Sequence, residues 1–145
     1  MNDRIQISPA ADALSRPASG GAGAPASFAL RRLQAERLGD HHLPVLLRMD
    51  ADERLMAAAG GVRSGPQTAE YLERNLRHWS EHGFGIWILR DPITRQVVGR
   101  AGLRHLTIQG MEEVELAYAL FPVFWGRGLA TDVARACVTI GRDWL

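Results

Sequence analysis

The residues of this chain best suited to chemistry lie in one run, Trp125-Gly126-Arg127-Gly128-Leu129-Ala130-Thr131, which joins an alternating strand (Val114 to Leu120) to an amphipathic helix. Glycines at a turn let the backbone approach a ligand closely. The first turn of the following helix offers N–H groups without partners and the positive end of the helix dipole. Such a turn is an anion cradle, and a phosphate or pyrophosphate is its natural guest. Composition narrows the choice: the chain holds 17 arginines and no lysine. That removes the P-loop, whose lysine reaches the β- and γ-phosphates, and pyridoxal chemistry, which needs a lysine Schiff base. The dinucleotide fingerprint G-x-G-x-x-G/A is half met by Gly126 and Gly128, but Thr131 stands where the third small residue should be. No acidic residue follows about 20 positions later to read a ribose.

The run Trp125 to Ala130 matches Q/R-x-x-G-x-G/A at Gly128 and Ala130, with Trp125 in the first position. On this motif, the segment VELAYALFPVFWGRGLAT and the upstream FGIWILRDPITRQVVGRAGLRHL, the chain resembles the GNAT superfamily of acetyl-CoA-dependent N-acetyltransferases from about Phe28 to Leu145. Trp125 in place of Gln/Arg is similar to the branch that contains the ribosomal-protein N-terminal acetyltransferases. The resemblance implies acetyl-CoA as co-substrate and an amine of a protein N-terminus or small molecule as acceptor. It also implies that Trp125, Gly126, Arg127, Gly128, Leu129, Ala130 and Thr131 hold the CoA, with Leu120 and Phe121 lending backbone groups to the pantetheine amides.

Amine acetylation needs a neutral amine, a base or water relay for its proton, and an N–H to polarise the thioester carbonyl. Glu115 is the carboxylate on the strand before the cradle, and its position is similar to that of the strand glutamate that serves as general base in some GNAT branches. The plainer alternative is a half-exposed strand residue or an anchor for the substrate amine. Glu112 and Glu113 read as a solvated turn. Tyr118 falls opposite Glu115 by strand alternation, on the side of Val114, Leu116 and Leu120, which predicts a core role. Arg127 is either a contact for a CoA phosphate or an exposed charge.

The elements that must position these residues read in order. Phe28 to Leu33 alternates and predicts a first strand. Asp40 is placed to cap a helix with Leu43, Leu46 and Leu47 inward, and Leu55 and Met56 mark a short helix after Asp50. Ser64 or Thr68 opens a helix whose Tyr71, Leu72, Leu76 and Trp79 share a face until Gly83 ends it. Strands follow over 85–90, 96–103 and 114–120, with turns at 91–94 and 109–110. Leu129, Val133, Ala136, Cys137, Ile140 and Trp144 form the stripe of the last helix. The fold class is α/β (α+β), a GNAT-like mixed, mainly antiparallel sheet flanked by helices. By the resemblance, the usual C-terminal strands and helix are lacking. They would supply the second wall of the pantetheine wedge and the general acid, so the domain over 28–145 is expected to be truncated.

The remaining features set limits. Between Ser8 and Ser27, 17 of 20 residues are Ala, Gly, Ser or Pro, which buries too little apolar surface to offset ordering, so 1–27 reads as a disordered extension. It lacks the apolar core of a signal peptide. A formal net charge of +1 provides no field to draw nucleic acid, and no apolar run approaches a membrane span. One cysteine, Cys137, on an apolar helix face, fits a reducing cytoplasm and an inert buried thiol. His78 and His82 stand at zinc spacing, but Trp79 follows where a metalloprotease has Glu and no third ligand is in view, so no metal is expected. Two other classes remain beside the enzyme: a CoA-binding remnant without turnover, and a catalytically silent module that forms homo-oligomers.

Overall fold

The computed structural model describes residues 23–145. Strands β1 (Ser27–Ala29) and β2 (Gln34–Arg37) lead through a 3-10 turn (Asp40–His42) to helices α1 (Leu43–Ala51), α2 (Glu53–Met56) and α3 (Gly65–His82). Strands β3 (Ile86–Arg90), β4 (Val97–Ile108) and β5 (Met111–Leu120) follow, then a 3-10 turn (Pro122–Phe124) and helix α4 (Leu129–Trp144). The strands form one sheet in the order β1-β2-β3-β4-β5, every neighbouring pair antiparallel.

The sheet is covered on both faces. On one, Trp87, Leu89, Leu116 and Leu120 pack with Val133, Cys137 and Ile140 of α4. On the other, Ile86, Ile88 and Ala119 pack with Leu46 and Met49 of α1 and Leu72 of α3. This is why β3 carries four consecutive buried apolar residues where a half-exposed strand would alternate. The long helix α3 is specified locally at both ends. Ser64 Oγ accepts the Gln67 N–H and Gln67 Oε1 accepts the Ser64 N–H, a capping box, while Gly83 at φ 74° stops the helix. No helix among the described residues is long and apolar enough to cross a membrane.

Several expectations need correction. Phe28 to Leu33 is not one strand: the Leu30 N–H donates to Leu33 O at 2.7 Å, closing a turn at Arg31-Arg32 between β1 and β2. Asp40 lies within the 3-10 turn and makes no cap: the cap positions fall to Gly39 for the turn and His42 for α1, and neither start is capped by the Asp40 side chain. Leu47 is 38% exposed, since Val45, Leu46 and Met49 form the inward face of α1. Tyr118 is 41% exposed. It shares a face with Leu116 and Leu120, but β5 is the edge of the described sheet and α4 buries those two leucines without covering the side chain between them. Of the 1–27 extension, residues 1–22 lie outside the described residues. Residues 23–27 are tied to the fold: the Ala24 N–H donates to Gly83 O, Trp87 Nε1 donates to Pro25 O, and Ser27 opens β1.

Candidate active site

The site is built around β5 and the turn that follows it. The Phe121 N–H donates to Val98 O at 2.9 Å, which fixes the phase of the β4–β5 ladder. By antiparallel alternation, Leu120, Tyr118, Leu116 and Val114 turn their backbone N–H and C=O groups away from β4, toward the open edge. Both backbone groups of Phe121 are spent internally, since its carbonyl accepts the Phe124 N–H at 2.9 Å. The Phe121 N–H is thus used within the fold, whereas the Leu120 N–H faces the open edge. The Leu120 carbonyl accepts from Trp125 Nε1 at 2.9 Å, so the indole folds back and closes the loop.

Beyond Trp125 the chain turns through two left-handed glycines, Gly126 at φ 75° and Gly128 at φ 76°. Gly128 is the N-cap of α4, and no side chain caps this helix. The first-turn N–H groups of Leu129, Ala130 and Thr131 have no intrahelical carbonyl to bond. A Cβ added at Gly126 would meet nothing within 4 Å, so there is room over the turn. The turn is held from the far side of the sheet by Arg32, which stands between β1 and β2. Its Nη1 donates to Arg127 O at 2.6 Å and its Nη2 to Asp132 Oδ2 at 2.6 Å. Reading the sequence missed Arg32, because nothing local relates position 32 to position 127. The Arg127 guanidinium lies over Phe124, 5.5 Å from the ring centroid.

A cleft of about 470 Å³ opens beside this turn, on the α1–α3 face of β4 and β5, lined by Arg63, Tyr71, Arg100, Arg104, Glu115 and Ala117 among others. Trp125 and Ala130 also line it, joining it to the cradle. Opposite Glu115 in the ladder, Arg104 donates from Nη2 to Glu115 Oε2 at 2.9 Å. Arg104 Nε is buried without a hydrogen-bond partner. Deeper in, fully buried Asp50 receives Arg100 Nη1 at 2.8 Å and Arg63 Nη1 at 3.2 Å on one oxygen, and Thr68 Oγ1 at 2.8 Å on the other.

The histidines are structural. His78 Nδ1 donates to Phe84 O at 2.7 Å and Nε2 accepts the His105 N–H at 2.8 Å, so both nitrogens of a neutral ring are used. Burial holds His78 below the usual histidine value. No group of three or more His, Cys, Asp or Glu that could hold a metal ion exists among the described residues. Burial pushes the Cys137 thiol up to about 12, which keeps it protonated and inert.

An antiparallel sheet between helices, with a glycine turn running from its edge strand into an uncapped helix, is a fold this chain shares with acetyltransferases. Residues 31–144 match the Acetyltransferase (GNAT) domain family, and the chain belongs to it. The uncharacterized protein YkkB of Bacillus subtilis (strain 168) is 30% identical over 90 residues, 62% of this chain and 52% of its own length. The chain thus spans about half the length of that curated relative. An acetyltransferase from Agrobacterium tumefaciens str. C58 superposes with a TM-score of 0.66 at 23% identity, over 94% of this chain and 71% of that one. A GNAT-family acetyltransferase from Bacillus anthracis superposes with a TM-score of 0.61 at 16% identity, over 79% and 65%. At such identities these likenesses show the fold.

Proposed function

We propose that this chain binds acetyl-CoA at the α4 N-terminus and transfers the acetyl group to an amine of a protein N-terminus or a small molecule. The observation that carries the reading is the uncapped start of α4 at left-handed Gly128, continuous with the cleft that Glu115 lines. The N–H groups of Leu129, Ala130 and Thr131 would hold the pyrophosphate, with Gly126 and Gly128 admitting it to the backbone and Trp125 fixing the loop. The edge-facing N–H of Leu120 would take a pantetheine amide. Acetyl-CoA supplies the acyl group as an activated thioester. Glu115 lies five residues, about 17 Å of strand, before Leu120, within reach of a phosphopantetheine arm. As the amine nitrogen bonds to the thioester carbon and the C–S bond breaks, Glu115 accepts the amine proton and CoA leaves as the thiolate, which takes a proton from solvent. An edge N–H of β5 would polarise the carbonyl. Trp125 in the first motif position keeps the ribosomal-protein N-terminal branch as one source of acceptors.

The test is a thermal unfolding series with CoA, acetyl-CoA, ATP and NAD, followed by thiol release from acetyl-CoA over a panel of amines. Stabilisation by the CoA compounds alone, with amine-dependent thiol release, is the expected result. CoA binding without release would make the protein a CoA-binding module, and equal stabilisation by ATP would overturn the cradle assignment.

A further inference from the structure

The floor of the cleft carries a charge imbalance. Arg63 and Arg100 share a single oxygen of Asp50, whose other oxygen is taken by Thr68. Two guanidiniums therefore face one carboxylate, and the side chains of Arg100 and Asp50 are only 5% and 0% exposed. The second nitrogen of Arg100 has as acceptor the Met56 thioether, at 3.5 Å, which is a weak one. Both guanidinium carbons lie over the Tyr71 ring, at 4.7 Å for Arg100 and 4.4 Å for Arg63. The Arg63 side chain is 22% exposed and lines the cleft. Arg100 and Asp50 balance one another in the core, so the charge in excess is that of Arg63, at the cleft wall where an anion can meet it.

The strand geometry leaves a path from this charge to Glu115. Arg100 and Arg104 stand four residues apart on β4, about 13 Å along the strand, and between them Gly102 pairs with Ala117 of β5. Ala117, one of the smallest side chains, thus lines the cleft between the arginine pair at one end and Glu115 at the other.

We infer that the acceptor is an amine that also carries a carboxylate, which Arg63 and Arg100 receive while the amine faces Glu115. One excess positive charge matches a monoanion, and a guanidinium fork matches a carboxylate's two oxygens. The inference rests on the acetyl-transfer reading of the same cleft.

The experiment is calorimetric titration of the 145-residue chain in the presence of CoA with product-like probes of two lengths. These are N-acetylglycine and N-acetyl-4-aminobutyrate, each beside its primary amide. At least one acid is expected to bind about tenfold or more tighter than its amide, as a charge-assisted contact implies. Arg63→Gln should erase that preference while CoA affinity stays as in the parent. Acids and amides binding alike, no binding by any probe, or a preference that survives Arg63→Gln would overturn the inference. The parent comparison decides alone if Arg63→Gln fails to fold. CoA is titrated separately, so its failure to bind would sink the acetyl-CoA reading and is distinguishable from failure of the acceptor assignment.

Discussion

The two ends of the cleft offer different kinds of group. At the cradle, the groups that would meet a ligand are backbone N–H donors of consecutive residues, left without intrahelical partners at a helix start that follows left-handed Gly126 and Gly128 and has no capping side chain. At the floor, the groups are side chains of Asp50, Arg63, Tyr71, Arg100, Arg104 and Glu115, gathered from α1, α3, two strands and a loop. Backbone recognition at a helix start is tolerant of the residues around it and specific for charge and shape. Side-chain recognition can be changed one position at a time. On the proposed reading, the contrast teaches that cofactor and acceptor are met by parts of the molecule that can mutate independently.

The sharpest way to break the contrast is Glu115→Gln, which keeps a hydrogen-bond acceptor for Arg104 but takes no proton. Acetyl transfer should fall by about 10²–10⁴, most where the acceptor amine is largely protonated, with KM for acetyl-CoA unchanged. An unchanged pH–rate profile would hand the proton to water. Next comes Asp50→Ala, which leaves the buried Arg100 without its counter-charge. The expected loss is about 3–5 kcal/mol, read from the urea midpoint. A loss far below that would mean the floor is solvated.

Smaller effects belong to the supports. Arg32→Ala removes an ion pair between half-exposed partners, so stability should drop by no more than about 1 kcal/mol. CoA affinity should weaken a few-fold, because the turn at Arg127 loses its clamp. Smallest is the pH response. The fold holds His78 neutral below the ordinary value of 6.5, chiefly by burial. The unfolded chain therefore binds more protons as pH drops under that value, and stability declines there. His42, held low mainly by burial as well, adds to the slope. His78→Asn should flatten part of the fall in urea midpoint between pH 7.5 and 5.5, whereas an unchanged slope would assign it elsewhere.

Legibility in the sequence follows the same division. The glycine turn, the stripe of α4, a start of α3 at Ser64 or Thr68 and the stop at Gly83 are contiguous features whose chemistry acts within a turn or two, so they can be read from residue order. The β1–β2 hairpin escaped because its turn at Arg31-Arg32 contains neither glycine nor proline. Tyr118 escaped because alternation assigns a face but not how far a covering helix extends over it. The floor escaped almost wholly, since Asp50 and Arg100 are 50 positions apart. The available signal was a charged residue inside an apolar run, as in LLRMDA and VVGRAGL.

The central claim is that CoA occupies the α4 cradle, and a comparison of two glycines tests it most directly. Gly128 and Gly110 have nearly the same backbone, φ 76° and 77°, but Gly110 sits in the β4–β5 turn away from the cradle. Alanine at either position therefore carries similar left-handed strain, and the added Cβ would meet nothing at Gly110 and only the tip of the Arg32 side chain, at 3.3 Å, at Gly128. At about 100 times its Kd, CoA should stabilise the parent by about 2.7 kcal/mol, a rise of roughly 5–10 °C in Tm. Gly110→Ala should keep that rise and Gly128→Ala should lose most of it. An equal rise in both variants would contradict the cradle.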